Sequence, residues 1–290
     1  MKLRCRHSVI SLDGAAVMGV LNVTPDSFSD AGRWFDPTAA VDHGVEMAAQ
    51  GAAIVDVGGE STRPGAGVVD LVEELERVIP VVEGLVERLD IPVSIDTRKA
   101  EVARRALAAG ASIVNDTRGE EHDSSLDRIA ADTGAGLILM HSRGTAATMA
   151  SLISYRDVVA DVRTWLERRA DEARLNGVSS EAIVIDPGCG FAKTAHQSLA
   201  LLRRIDAFLE LGYPLLVGTS RKSFIGAALD LDVGERLEGT AATVAWAVAH
   251  GAHIVRVHDV RAMVRVARMT TAIRDAGLEV NSPLDDSHHG

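Results

Sequence analysis

Arg63, Arg221, Lys222, Arg256 and His258 are cations or potential cations in a chain whose formal net charge is −11. Each follows a short apolar run, where a chain leaves a buried segment for a loop. An acidic protein that gathers such groups in one place would be holding an anion, and phosphate or diphosphate suits guanidinium and ammonium donors. The stretch "GTSRKSFIG" (218–226) adds to this, because Ser220 and the amides after it are placed to open a helix toward that anion. A second set has the opposite character. Asp96, Asn115 and Asp186 also close apolar runs, and inward carboxylates and carboxamides suit the amidine and amide edges of a nitrogen heterocycle. There is no His-x-x-x-His and no cysteine cluster, which argues against zinc. Magnesium needs few protein ligands where a diphosphate supplies oxygens, and Asn22 with Asp30 nearby meets that need.

These residues sit at the ends of a repeat. The apolar runs are "AVMGVLN" (16–22), "AIVDVGG" (53–59), "PVSIDT" (92–97), "SIVNDT" (112–117), "GLILMH" (136–141), "AIVID" (182–186), "LLVGTS" (215–220) and "HIVRVH" (253–258). Between them lie segments with apolar residues three and four apart. "TAAVDHGVEMAAQG" (38–51), "KAEVARRALAAG" (99–110) and "DVVADVRTWLERRADEARLNG" (157–177) are the clearest, each closed by glycine as a helix stop. Alternation of helices with strands apolar on both faces specifies a parallel sheet. Eight such units fit a single (β/α)8 TIM barrel over residues 16–276, with an N-terminal segment at 1–15 and a flexible tail at 277–290. A doubly wound open sheet is the competing arrangement, and the lack of a Gly-rich dinucleotide fingerprint counts against it. In a barrel the active site forms at the C-terminal ends of the strands. Those ends carry Asn22, Asp56 with Glu60, Asp96, Asn115 with Asp116, His141, Asp186, Ser220 with Arg221 and Lys222, and Arg256 with His258. Strand "GVLN" ends in a carboxamide because it ends at the mouth of a pocket.

Composition narrows the classes further. Hydrophobic residues make up 47% of 290, enough for a large core, and no shift in composition marks a second domain. A negative net charge and 3% aromatic residues speak against nucleic-acid binding, which relies on basic faces and stacking platforms. No apolar run approaches the ~18 residues of a membrane span, and "MKLRCRHSVISLDG" lacks the continuous apolar stretch of a signal peptide. Cys5 and Cys189 are too few for a disulfide framework, which fits reduced thiols in the cytoplasm.

The motifs "LNVTPDSFSD", "DVGGESTRPG", "SIDT", "ND", "MHSRG", "IDPGCGFAKT", "GTSRKSF" and "RVHDV" resemble, in order, those of the dihydropteroate synthase family, from about Val17 to Arg274. The first, second, sixth and seventh are highly specific. Small departures are the absence of a proline after the glycine of "MHSRGTAATM" and Cys189 where an aliphatic residue is usual.

The resemblance implies a magnesium-dependent transferase of folate biosynthesis. It condenses (7,8-dihydropterin-6-yl)methyl diphosphate with 4-aminobenzoate by an SN1-like route, in which diphosphate leaves early and the aniline nitrogen attacks a delocalised cation. It also implies a homodimer through the late helices. Carried over by motif, Asn22 is the magnesium ligand beside the diphosphate. Asp96, Asn115, Asp186 and Lys222 hold the pterin, with Met140 and Phe191 packed near it. Thr62, Arg63, Arg256 and His258 bind the diphosphate. Phe28, Thr62, Pro64, Ser220 and Arg221 form the side for 4-aminobenzoate and the sulfonamides that mimic it. Asp96, Asp186, Lys222, Arg256 and His258 carry the catalysis, and the long loops at 23–36 and 59–69 are expected to be mobile lids. Two rival readings are a pterin-dependent methyltransferase module, which needs no diphosphate set, and a non-catalytic pterin-binding paralogue.

Overall fold

The computed structural model describes residues 1–24, 36–60, 67 and 69–276. Most of the two expected lids, including Phe28, Thr62, Arg63 and Pro64, and all of the tail 277–290 lie outside the described residues.

All eight apolar runs form strands: β3 (Ala16–Asn22), β4 (Ile54–Gly58), β5 (Val93–Thr97), β6 (Ile113–Asp116), β7 (Gly136–Met140), β8 (Ile183–Asp186), β9 (Leu216–Gly218) and β10 (Ile254–Val257). They pair in parallel in the order β8-β7-β6-β5-β4-β3-β10-β9. The ring closes between β8 and β9, where Ile185 bridges Leu215 and its N–H donates to the Pro214 carbonyl at 3.0 Å. The open-sheet alternative is thereby excluded, and the barrel stands as expected. Every residue of β4 to β8 is buried, because inner faces fill the barrel and outer faces meet helices.

Those helices are α1 (Pro37–Ala49), α2 (Leu71–Arg88), α3 (Ala100–Ala108), α4 (Ser125–Thr133), α5 (Val158–Leu175), α6 (Ala195–Arg203), α7 (Asp206–Leu209), α8 (Ser223–Leu229), α9 (Leu237–Ala249) and α10 (Val260–Asp275). Local sequence starts several of them. Asp70 and Asp157 accept from first-turn amides of α2 and α5, and Thr194 with Gln197 forms a capping box on α6. No helix among the described residues is long and apolar enough to cross a membrane.

The first fifteen residues, to which the sequence pattern assigned no element, contain an antiparallel hairpin of β1 (Lys2–Cys5) and β2 (Ser8–Ser11). Leu3, Cys5 and Leu12 pack with Met18, Ile54, Ile113, Ile138, Val184, Leu216 and Ile254 in one buried cluster that forms the barrel floor. The Arg6 N–H donates to the Gly134 carbonyl at 2.6 Å and its guanidinium to the Leu107 carbonyl at 2.6 Å, so the hairpin is tied to the closed end of the barrel.

The floor positions the site. Strand side chains alternate, so the residue two places beyond each floor residue faces inward as well, one step nearer the mouth. From Met18, Ile54, Ser94, Ile113, Ile138, Val184, Leu216 and Ile254 this step reaches Val20, Asp56, Asp96, Asn115, Met140, Asp186, Gly218 and Arg256. An apolar layer thus carries a layer rich in charge.

Asp116 alternates to the outer face and anchors strand β6 from behind. It accepts from Arg118 Nε at 2.9 Å and from Arg169 Nη2 at 3.4 Å, and Arg169, 1% exposed, is also bidentate on the buried Asp127 of α4. Removing one member of a buried charge set leaves the rest uncompensated. Arg169→Met is therefore expected to cost about 3 kcal/mol of unfolding free energy, read from the urea midpoint at unchanged m value; a loss below about 1 kcal/mol would show that the network contributes little.

Candidate active site

Three side chains of the inner layer form a single ion-pair chain. Arg256 donates from Nε to Asp56 Oδ2 at 2.7 Å and from Nη2 to Asp96 Oδ2 at 2.8 Å. Asp96 Oδ1 also accepts from Thr117 at 3.2 Å, and Asp56 Oδ2 accepts a second bond, from Asn115 Nδ2, at 3.0 Å. One carboxylate thereby orients both an amide and a guanidinium. Asp186, on β8, lines the mouth cavity with Arg256, its Oδ1 accepting from the Gly188 N–H at 2.7 Å.

The loop after β8 makes the apolar side. Gly188 takes φ +66°, and a Cβ there would lie 1.9 Å from the His141 carbonyl oxygen, so only glycine lets the chain turn this closely. The buried Lys193 ammonium holds the loop from inside, donating to Gly188 O at 3.0 Å, Phe191 O at 2.9 Å and His141 Nδ1 at 3.0 Å. Phe191 then packs with Met140 and Met149. Lys222 lies over the Phe191 ring, 3.7 Å from its centroid, an ammonium held on an aromatic face.

At the mouth, Asn22, Asp186, Lys222, Arg256, His258 and Ser220 line a cavity of about 270 Å³, near the lower end of the range for small-molecule sites. The His258 backbone N–H donates to Ser220 Oγ at 3.1 Å, and the same hydroxyl shares a hydrogen bond with His258 Nδ1 at 3.0 Å. Ser220 thereby fixes the orientation of the imidazole. Helix α8 opens later than the sequence suggested: its cap is Lys222, and Ser220 spends its hydroxyl on His258 rather than on helix amides. Arg221, at φ +58°, turns outward and pairs with Asp259 at 2.6 Å. Backbone in this region is costly for a side chain with a Cβ, and such strain concentrates at functional sites.

Burial shifts the titrations of this set toward their neutral forms. Desolvation pushes the Asp96 carboxyl up to about 7, against the pull of Arg256 and with the help of Asp56. Desolvation likewise raises Asp186 to about 6, opposed by the Gly188 N–H and Lys222. Lys222 falls to about 8 through burial and the nearby Arg256, and His258 to about 3 through burial, Arg256 and Arg221. Without ligand, the site stores unfavourable charge that a complementary ligand would relieve.

Of the residues singled out from sequence, Asn22, Asp186, Phe191, Ser220, Lys222, Arg256 and His258 line this mouth, while Asp96, Asn115 and Met140 stand behind it, linked through Arg256, Asp56 and Phe191. Arg221 lines it too, though its guanidinium is engaged with Asp259. Phe28, Thr62, Arg63 and Pro64 lie outside the described residues. The sequence marks Asp56 only as a strand end, without a role, and gives no sign of Met149 or Lys193. Period-two counting from Ile54 could have placed Asp56; nothing in "GFAKT" announces that its lysine is buried.

A family model for "Pterin binding enzyme" matches residues 18–258. The dihydropteroate synthase of Synechocystis sp. is 51% identical over 258 residues, covering 89% of either chain. The chain belongs to the dihydropteroate synthase family of pterin-binding enzymes. Its fold agrees with solved members of that family. The Xanthomonas albilineans dihydropteroate synthase with 4-aminobenzoic acid superposes with a TM-score of 0.88 at 41% identity, covering 94% of this chain and 99% of that one. The Yersinia pestis dihydropteroate synthase in a sulfonamide drug complex gives 0.89 at 39% identity, covering 95% and 100%.

The raised Asp186 carboxyl has a consequence for stability. Its folded value lies above the ordinary 3.8, so the folded state prefers the protonated form. Stability from this group is intact below about pH 4, falls as pH rises toward about 6, and then stays reduced by about 3 kcal/mol. Asp186→Asn is therefore expected to match wild type near pH 4 and to be more stable above pH 7. Equal urea midpoints for the two proteins at pH 8 would contradict the stored-charge account.

Proposed function

We infer that the chain is a dihydropteroate synthase, joining (7,8-dihydropterin-6-yl)methyl diphosphate to 4-aminobenzoate with release of diphosphate. The observation that carries this reading is the layered site: carboxylates and a carboxamide set in the barrel, with cations and Asn22 at its mouth. A pterin ring offers N–H donors that ionised Asp186 and Asp96 would accept, and Asn115 would add an acceptor oxygen. Met140, Met149 and Phe191 give the ring an apolar wall, and Lys222 closes it. Bonding to ring donors returns to the buried carboxylates what desolvation removed, so substrate binding draws on the charge stored in the free site.

The reaction breaks the bond from the pterin methylene to a diphosphate oxygen and forms a bond from that carbon to the aniline nitrogen, which then loses a proton. Arg256 and His258, and Arg63 and Thr62 by motif, would take the growing charge on the leaving diphosphate; His258 would do so through Nε2, since Nδ1 is engaged with Ser220. Asp96 and Asp186 face the carbon side and would favour the cationic pterin as diphosphate departs. The amine attacks as the neutral base, so catalysis is mainly positioning and electrostatics. Ser220 and Arg221, with Phe28, Thr62 and Pro64, form the proposed 4-aminobenzoate and sulfonamide side.

The residues fit magnesium under one condition. Among the described residues no three acidic, histidine or cysteine side chains converge as a cage. The Asn22 carboxamide would thus be one oxygen donor to an ion that takes its others from diphosphate and water. Magnesium bound there would supply further neutralisation of the leaving group. Trp246, Met269 and Ile273, exposed on the packed pair α9 and α10, support assembly as a homodimer through the late helices. Buried free Cys5 and Cys189 agree with a cytoplasmic setting.

The test is diphosphate release by the purified protein given both substrates; methyl transfer in its place, or ligand binding with no release, would select one of the rival readings. In the same assay Asp186→Asn exchanges an acceptor for a donor against the ring and is expected to lose on the order of 2–4 kcal/mol of transition-state stabilisation. Turnover within threefold of wild type would remove Asp186 from the pterin seat.

Asn22→Ala and chelation by excess EDTA should each slow release by roughly tenfold or more, and the two together no further than EDTA alone, since both act on one ion. Full activity in EDTA would eliminate the metal.

A further inference from the structure

Asp56 is fully buried and does not line the cavity at the mouth, so it would act on a substrate through other side chains. It nevertheless holds two residues that the proposed reaction uses. Its Oδ2 accepts from Asn115 Nδ2 at 3.0 Å and from Arg256 Nε at 2.7 Å, while Oδ1 has no partner among the described residues. A carboxylate only accepts hydrogen bonds. The amide of Asn115 is therefore forced to turn its NH2 group inward to Asp56, and its Oδ1 accepts no bond from the described residues. That oxygen is left to a ligand N–H. The guanidinium of Arg256 is fixed edge-on by the same atom, with Asp96 on its other side. Asn115 comes from β6 and Arg256 from β10, strands that are not neighbours in the barrel.

We propose that Asp56 is a positioning residue that sets the polarity of the Asn115 amide and the direction of the Arg256 guanidinium through one oxygen, locking the pterin seat to the diphosphate seat. This rests on the dihydropteroate synthase reading. It adds the group that makes Asn115 an acceptor toward the ring and thereby selects a heterocycle edge that donates there.

The asymmetry of the carboxylate supplies the test. Asparagine at this position can put its oxygen where Oδ2 stands and keep both bonds, its NH2 falling where Oδ1 has no partner. Alanine removes both. Binding of 6-hydroxymethyl-7,8-dihydropterin and of magnesium pyrophosphate is measured separately by calorimetry on wild type, Asp56→Ala and Asp56→Asn. Asp56→Ala is expected to weaken each ligand by about thirtyfold, because amide and guanidinium are both released, and Asp56→Asn to recover most of that loss. Unchanged affinity in folded Asp56→Ala, or equal losses in the two variants, would overturn the proposal. If Asp56→Ala does not fold, the wild type decides. With asparagine labelled by nitrogen-15, the Asn115 side-chain amide protons should be protected from exchange before any ligand is added; free exchange would overturn the assignment. Failure of wild type to bind either ligand would instead sink the functional reading.

Discussion

Everything at the mouth of this barrel depends on one electrostatic constraint: carboxylates buried over an apolar floor must share a single arginine. Asp56 and Asp96 both receive Arg256, and Asp56 is fully buried. Burying such groups unpaired would cost several kcal/mol each. Their pairing therefore dictates which strands lie where, and which atoms remain for a ligand. Lys222 and Asp186 obey the same rule at longer range, each holding the other nearer its charged form against desolvation. The site is thus a set of charges balanced well enough to fold and poorly enough to welcome a polar ring and an anion.

The local devices around this set serve the same end. Lys193 fastens the loop after β8 through backbone carbonyls, which seats Phe191 as a wall and leaves Lys222 suspended on its face. Ser220 holds the His258 ring in place through its hydroxyl. Arg118 and Arg169 hold the outer face of β6 while Asn115, one residue before Asp116, looks inward. Rigid support behind each functional group is what allows a catalytic set to act by position and field rather than by proton shuttling.

Much of this was legible in the sequence, for a physical reason. Parallel barrel strands are apolar on both faces, so a carboxylate or amide at the end of such a run stands out, as with Asp96 in "SIDT" and Asp186 in "AIVID". Glycine-closed helical segments punctuate the strands and give their count. The role of Asp56 is harder to read, since it lies in the middle of its strand and acts on other side chains. Lys193 was illegible because burial of a lysine depends on carbonyls brought from 188, 191 and 141 by the fold. The N-terminal hairpin escaped notice because short amphipathic strands resemble loops until the floor they cover exists. Ser220 reads as a helix opener in sequence, and the structure gives its hydroxyl to the histidine that follows β10.

The spacing of these partners along the chain also bears on how the molecule forms. Arg256 lies on the last strand, two hundred residues from Asp56, and β10 is the strand that joins β9 to β3. During synthesis, every carboxylate of the inner layer is made before the cation that neutralises it. The hairpin at 2–11, made before the barrel strands, needs the Gly134 carbonyl and a floor that includes Leu216 and Ile254 before it can dock. Contacts of such high sequence separation slow folding, because chain entropy is lost before they return any energy. Barrel closure, charge compensation and sealing of the floor thus converge on the arrival of one C-terminal strand, and a nascent or truncated chain without it would expose both unpaired sheet edges and uncompensated acids.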